Sequence, residues 1–379
     1  MHLNDQQKRA RDSFRAFLEE HVTPFADSFD KQERLPVEII QRLAREKYLG
    51  AALPQEFGGK GLDIITYGLL QEELGRSCSS IRSLVTVQSM TAETILRWGN
   101  RKQKDRWLPG MATGETIAGF ALSEPNAGSD AAGIETIARS SSDHYVLNGA
   151  KKWITFGQIA NLFLVIAKED GKPTAFLVEG DNPGLSIEPI SGMLGVRASM
   201  LASLHLSDCL VHKDNIIGRS GFGLSPVAST ALEHGRYCVA WGCVGIAQAC
   251  LMACAEHVSH RKQFGQHLKD FQLIQQMIAN MACSIKAARS LCFYAAHSKL
   301  SNNRDAHMDI NVAKYFTSRI ASQVAADAVQ IHGALGCSSA SSVQRYFRDA
   351  KIMEIIEGST QIQEITIGEY GLRNNDWLE

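Results

Sequence analysis

Between residues 118 and 222 the chain reads HYVLNG (144–149), NLFLVIAK (161–168), TAFLVEG (174–180), LSIEPI (185–190) and LASLHLS (201–207). These runs are short and either alternate apolar with polar residues or are apolar throughout. Gly, Asn, Asp and Pro separate them. Such a pattern predicts β-strands divided by turns. The flanks have another texture. Residues 1–117 carry a helical period, as in QQKRARDSFRAFLEEHV (6–22) and PVEIIQRLAREKYLG (36–50), interrupted by the glycine-rich EFGGKGLD (56–63). From 223 to 379 the helical period returns in long segments. The expectation is an α+β multidomain chain: an N-terminal α-helical domain (1–117), a middle β-domain (118–222) and a C-terminal α-helical bundle (223–379). A length of 379 residues suits two or three domains at roughly 150 residues each.

Charge is balanced, with 39 Lys+Arg against 40 Asp+Glu. A net charge of −1 gives no electrostatic reason to expect nucleic acid or an anionic membrane as partner. The nine cysteines form no CxxC pair and no Cys/His ligand spacing, so no metal site is expected. Several (Cys243, Cys250, Cys254, Cys283, Cys292) fall in apolar helical stretches and read as buried reduced thiols of a cytoplasmic protein. The N-terminal MHLNDQQKRARDSF lacks an apolar signal core. Residues 237–255, YCVAWGCVGIAQACLMACA, carry no formal charge and are long enough to span a bilayer. Their Ala, Gly and Cys content reads instead as a helix closely packed among other helices.

Chemistry is concentrated in a few segments. FALSEPNAGSD (120–130) is a small-residue loop in which Gly128 and Ser129 can bring backbone N–H groups close to a ligand. It is followed by KKWITFG (151–157), HRKQFG (260–265), QIHGALG (330–336) and RDAKIMEIIEGSTQIQ (348–363). In this order, and over essentially the whole chain, these segments resemble the acyl-CoA dehydrogenase family. The resemblance implies an N-terminal helical domain, a middle β-barrel-like domain and a C-terminal four-helix bundle, with FAD between the last two. It also implies a homodimer or homotetramer, because flavin sites in the family borrow residues from a neighbouring chain.

Carried over by position, Leu122 and Ser123 match hydrogen-bonding contacts to the flavin ring, and Trp153 and Thr155 match residues packed on it. Arg261, Phe264 and Gln272 match contacts to the FAD of the partner subunit. Gln330 and Gly333 match the loop that holds the pyrophosphate, and Ser359 and Gln361 match further FAD contacts. Ser129 matches a position near the thioester. Glu233 matches an acid that contacts pantetheine, and Arg236 falls in a stretch shared with substrate-binding segments.

Glu357 matches the catalytic base. Desaturating a thioester removes an α-proton while the β-hydrogen leaves as hydride to the flavin, so the protein must supply a base, alignment and stabilisation of the enolate. A carboxylate becomes a competent base when burial raises its pKa towards the working pH. Oxygen stabilisation in the family comes from a flavin hydroxyl and the backbone N–H of the base. Ile356 and Ser359 depart from the usual Tyr-Glu-Gly-Thr. Some relatives place the base at the position of Gly235, where glycine cannot serve.

The stretch SCSSIRSLVTVQSM (77–90) lies where the family lines the end of the acyl pocket. Arg82, with Ser83 and Thr86, is expected there as substrate-binding. A buried guanidinium needs an anion, which a substrate carboxylate provides; Glu72 or Glu73 is the alternative partner. The stretches CSSIRS, VAWGCVGI and DAKIMEIIEGS resemble dehydrogenases that act on acyl carrier protein and make hydroxymalonyl or aminomalonyl extender units for polyketides, as in the colibactin pathway. The expected reaction is oxidation of a carrier-bound 2-amino- or 2-hydroxy-3-oxopropionyl thioester, as its hydrate. The alternatives are a glutaryl-CoA or other short-chain acyl-CoA dehydrogenase, and a non-catalytic binding protein of the same fold. The expected electron acceptor is an electron-transfer flavoprotein or oxygen.

Overall fold

The computed structural model describes residues 3–374 and Trp377. Six helices come first: α1 (Asp5–His21), α2 (Ala26–Gln32), α3 (Val37–Arg45), α4 (Ile64–Ser77), α5 (Ser79–Trp98) and α6 (Arg101–Thr113). Local sequence sets their starts. Asn4 and Gln7 form a capping box on α1, Asn100 and Gln103 repeat it on α6, and the Asp63 side chain accepts from the N–H groups of Ile65 and Thr66 to begin α4.

The strands are β1 (Ala118–Ala121), β2 (Ile137–Ser141), β3 (His144–Ile154), β4 (Leu162–Glu169), β5 (Lys172–Glu179), β6 (Leu185–Pro189), β7 (Ala202–His212) and β8 (Ile216–Ile217). They form one sheet in the order β6-β7-β3-β2-β4-β5-β8, with β1 parallel to β4 off that path. The sheet curls until β5 contacts β7, which gives the barrel-like form. The β4–β5 hairpin turns on Asp170-Gly171, both in the left-handed region (φ 46° and 76°) that Asp-Gly adopts readily.

The C-terminal helices are α7 (Ser229–His260), α8 (Gln272–Leu300), α9 (Ala306–His332), α10 (Val343–Met353) and α11 (Thr360–Arg373). A short hairpin of β9 (Lys262–Gln263) and β10 (Gln266–His267) joins α7 to α8. Helix α7 is the axle of the molecule. It packs on α8, α9 and α10 of its own bundle and on α4 and α5 of the N-terminal layer. Backbones touch there: a Cβ on Gly75 would lie 2.3 Å from the Gly242 carbonyl oxygen, and one on Gly245 would lie 2.0 Å from that of Glu72. This is the reason for the Gly, Ala and Cys content of the apolar run. The helix is long and apolar enough to cross a membrane, yet 72% of its most apolar window is buried inside the protein. All nine cysteines are free thiols. Cys283 and Cys337 are exposed, which corrects the expectation for Cys283: the apolar stretch around it is one face of α8, and Cys283 lies on the other face.

Candidate active site

Glu357 sits in the turn between α10 and α11 with φ 56°, followed by Gly358 at φ 97°. A left-handed glutamate is strained by about 1–2 kcal/mol, so its surroundings must hold it. They do so through carbonyls. Arg236 Nε donates to the Glu357 carbonyl at 3.0 Å, the Gln363 amide donates to the same oxygen at 3.3 Å, and Lys314 Nζ donates to the Gly358 carbonyl at 2.6 Å. Thr360 N–H returns to the Glu354 carbonyl and closes the turn, and Ser359 caps α11 by accepting from Ile362 N–H. The N–H of Glu357 has no partner among the described residues.

The residue keeps an exposed edge, but the carboxylate is enclosed: Oε2 is buried and has no hydrogen-bond partner among the described residues. Burial drives the Glu357 pKa up to about 7, against the pull of Arg236, Arg82 and Lys314. Burial also lowers Lys314 to about 8. The space for the carboxylate exists because residue 235 is glycine; a Cβ there would lie 2.6 Å from Oε2.

Arg82 is on α5, 1% exposed, and has no carboxylate partner among the described residues. Its NH1 donates to Thr86 Oγ1 at 3.1 Å, its NH2 to Ser83 Oγ at 3.0 Å and to Met353 Sδ at 3.6 Å, and its Nε is unpaired. Glu72 and Glu73 do not reach it: Glu72 is bound to Arg289, and Glu73 to Arg15 and Arg76. Desolvating a guanidinium with only neutral acceptors is costly, and its pKa is lowered accordingly. Arg82 and Glu357 sense each other's charge across the same interior, and Met353, touching Arg82, precedes the Glu357 turn.

Sequence reasoning missed much of what surrounds Arg82. Tyr67, Gln71, Ser89 and His234 form a buried polar cluster with Thr86. Burial pushes His234 down to about 3, so it is neutral. Arg236, expected to bind substrate, donates from Nε to the Glu357 carbonyl and from NH1 to Asn311 Oδ1 at 3.1 Å, so it braces the turn that carries Glu357. Glu233 is paired with Lys299 at 2.7 Å.

The other expected residues fall into separate groups. Leu122 and Ser123 lie beside Trp153 and Thr155, since Lys152 N–H donates to the Ser123 carbonyl. Trp153 is 49% exposed at an irregularity near the end of β3, where its φ is 65°, and the Lys152 ammonium lies 4.8 Å from its ring centre. Behind them, Lys151 Nζ, itself buried, donates to Glu124 at 2.6 Å and to the Leu122 carbonyl at 3.1 Å, and Glu124 accepts from the N–H groups of Glu135 and Thr136. This pair was also missed. An exposed aromatic next to braced backbone groups suits a planar heteroaromatic cofactor such as a flavin ring. Ser129 lies exposed on the following loop, and a Cβ on Gly128 would meet nothing within 4 Å. Arg261, Phe264 (94% exposed) and Gln272 are on the surface around the β9–β10 hairpin, and Gln330 and Gly333 are exposed at the end of α9. Among the described residues, no hydrogen bond joins these five to Glu357 or to β3. Ser359 adjoins Glu357 as the cap of α11, and Gln361 is exposed on its first turn.

Three family models match the chain: acyl-CoA dehydrogenase N-terminal domain over residues 4–115, middle domain over 119–209 and C-terminal domain over 222–372. A probable acyl-CoA dehydrogenase of Bacillus subtilis is 37% identical, the alignment covering 98% of this chain and 99% of the relative. The mitochondrial short-chain specific acyl-CoA dehydrogenase of Rattus norvegicus is 35% identical over 98% and 91%. Among solved structures, butyryl-CoA dehydrogenase from Megasphaera elsdenii superposes with a TM-score of 0.94 at 33% identity, covering 98% of this chain and all of that one. A glutaryl-coenzyme A dehydrogenase in complex with glutaryl-CoA gives 0.94 at 32% over 98% and 96%. FkbI, for biosynthesis of a methoxymalonyl polyketide extender unit, gives 0.88 at 33% over 95% and 99%.

Proposed function

The chain belongs to the acyl-CoA dehydrogenase family, FAD-dependent oxidoreductases of acyl thioesters, and from that premise we propose that its substrate is a short acyl thioester ending in oxygen. The specific reading is a carrier-bound 2-amino- or 2-hydroxy-3-oxopropionyl group, oxidised as its hydrate to the aminomalonyl or hydroxymalonyl thioester. The observation that carries it is the buried Arg82 guanidinium, which no carboxylate among the described residues meets. A fatty acyl chain would leave that charge uncompensated.

Glu357 takes the α-proton onto its carboxylate. The thioester oxygen accepts from the free Glu357 N–H as negative charge develops on it. Arg82 donates to the oxygens on the β-carbon and fixes that carbon in place. FAD, when bound, accepts the β-hydrogen as hydride. Loss of one proton and one hydride from the hydrated aldehyde leaves the enol of a carboxylic acid, which tautomerises to the malonyl-type product. Atoms and electrons balance with no further reactant.

The flavin ring is assigned to Leu122, Ser123, Trp153 and Thr155, and further FAD contacts to Ser359 and Gln361. Gln330 and Gly333 are assigned to the pyrophosphate. Arg261, Phe264 and Gln272 are assigned to the FAD of a second subunit, which accounts for their exposure. Ser129 and Glu233 are assigned to the thioester and its pantetheine arm. The resemblance to FkbI supports an extender-unit product, and that to the prolyl acyl carrier protein oxidase AnaB supports a carrier-protein substrate. The second reading is glutaryl-CoA, whose carboxylate would also satisfy Arg82.

The test is anaerobic flavin reduction with the carrier-bound semialdehyde beside glutaryl-CoA, and mass spectrometry of the carrier. Flavin bleaching by the semialdehyde with gain of one oxygen relative to the aldehyde is expected. Rapid bleaching by glutaryl-CoA would overturn this reading in favour of the second.

A further inference from the structure

Arg82 is held from two sides, and each side fixes what it can bind. The first side is a relay of side chains with one polarity. The Ser89 hydroxyl gives its proton to the Val85 and Thr86 carbonyls at 2.8 and 2.9 Å, so in the 2.6 Å contact between them Tyr67 is the donor. The Tyr67 oxygen accepts from Gln71 Nε2 at 2.9 Å, Gln71 Oε1 accepts from Thr86 at 3.3 Å, and Thr86 accepts from Arg82 at 3.1 Å. Every proton points away from the guanidinium. The relay therefore presents Arg82 with an acceptor and leaves its remaining N–H groups as a donor-only wall.

The second side is α7. Gly235, Cys238 and Gly242 follow one another at i, i+3 and i+7 and share a face. Gly235 makes room for the Glu357 carboxylate, and Gly242 makes room for Arg82: a Cβ at 242 would lie 2.3 Å from Arg82 Cδ and 3.1 Å from Nε. Nε is the Arg82 nitrogen that is buried with no partner among the described residues. Two turns of one helix thus seat both charges of the site, and the seat at 242 passes the stem of the arginine instead of packing against it.

We infer that Gly242 is a specificity-determining position: its missing Cβ lets Arg82 lie with its free donors towards the acyl group, and so selects acyl groups that end in acceptor oxygens. Gly242 is a positioning residue that acts only through Arg82. The inference rests on the reading that Arg82 meets the end of the acyl group.

The experiment uses holoenzyme with Gly242→Ala, Arg82→Ala and both together. One acyl carrier protein is loaded with the 2-hydroxy-3-oxopropionyl or the butyryl group, and malonyl-pantetheine is titrated against the flavin spectrum. Gly242→Ala is expected to weaken malonyl-pantetheine binding and to raise KM for the oxygen-ended acyl group by about tenfold to a hundredfold, the worth of one or two charged hydrogen bonds. Butyryl turnover and flavin content stay nearly unchanged. In the Arg82→Ala background, which removes the Cδ that a Cβ at 242 would strike, adding Gly242→Ala alters neither substrate. Equal losses on both thioesters, the same loss without Arg82, or a flavin loss that Arg82→Ala does not restore would overturn the role of Gly242. A wild-type enzyme that handles butyryl carrier as well as the oxygen-ended one instead overturns the substrate reading. Malonyl binding that is strong and indifferent to Gly242→Ala overturns the Gly242 inference alone.

Discussion

A Cβ on Gly235 would lie 2.6 Å from Oε2 of Glu357, so the helix residue and the base compete for one volume. Gly235→Ala should displace the carboxylate and lower kcat without loss of flavin. Glu357→Gln should lower thioester-dependent flavin reduction by about 10²–10⁴, the usual worth of a positioned base. Because the two positions share a volume, Gly235→Glu combined with Glu357→Gly brings a carboxylate back to the same place. Partial recovery of flavin reduction in stopped flow is the expected result.

The pH dependence follows from burial. Glu357, held up at about 7, must be ionised to accept the α-proton, so kcat/KM rises through about pH 7 and levels above it. Arg82 pulls this pKa down, so in Arg82→Met the rising limb moves to higher pH. Stability runs the other way. A carboxyl whose pKa is higher in the folded than in the unfolded chain favours folding fully below about pH 4.5, and that contribution is lost as pH rises through about 7. Glu357→Gln is therefore expected to be more stable than wild type at pH 8, by an amount on the order of 3 kcal/mol, and to converge with it near pH 4–5. Thermal melts at the two pH values measure this.

Lys314 supports the strained turn from behind, through the 2.6 Å bond to the Gly358 carbonyl. Lys314→Met leaves that carbonyl unpaired in the interior, a cost of about 1–3 kcal/mol. It also removes one of the cations that hold the Glu357 pKa down. The expected outcome is a lower kcat, a pH–rate limb displaced upward and a KM that changes little, because Lys314 contacts the turn and not the acyl group. Steady-state kinetics across pH separate these effects.

How far the sequence reaches is clear from particular residues. The strands follow from alternation and the Asp170-Gly171 turn, and the helices from period and capping residues. Those signals are local, and local physics produced the elements. The motifs around Glu357 and Arg82 single out both residues, and the structure buries both charges in one interior. The bonds of Arg236 to the Glu357 carbonyl and to Asn311 were not legible, because those partners lie 121 and 75 positions away in the chain. The relay from Tyr67 to Arg82 joins two helices through polar residues that look like helix surface until the packing of α4, α5 and α7 buries them. Lys151 carried a usable signal: in β3 it shares a face with the buried Tyr145 and Leu147, so a strand period predicts an inward lysine that needs an acid.

That acid is Glu124, and the pair gives the last prediction. Lys151 and Glu124 are both buried, 2.6 Å apart, and between them they hold the Leu122 carbonyl and the N–H groups of Glu135 and Thr136. The pair thus ties β3, which carries Trp153, to the loop from Leu122 to Asp130. Burial lowers the Lys151 pKa to about 8, while Lys151 and the backbone donors hold Glu124 below its ordinary value. Removing either partner strands the other charge in the interior, at a cost of about 3–5 kcal/mol. Lys151→Met and Glu124→Gln should each lower Tm and release flavin, because the backbone groups beside Trp153 lose their brace. The double substitution should cost less than the sum of the two, since no unpaired charge is left behind. Flavin absorbance per chain and thermal melts of the three variants measure this. Full flavin retention in both single variants would show that the pair serves stability alone and does not brace the loop beside Trp153.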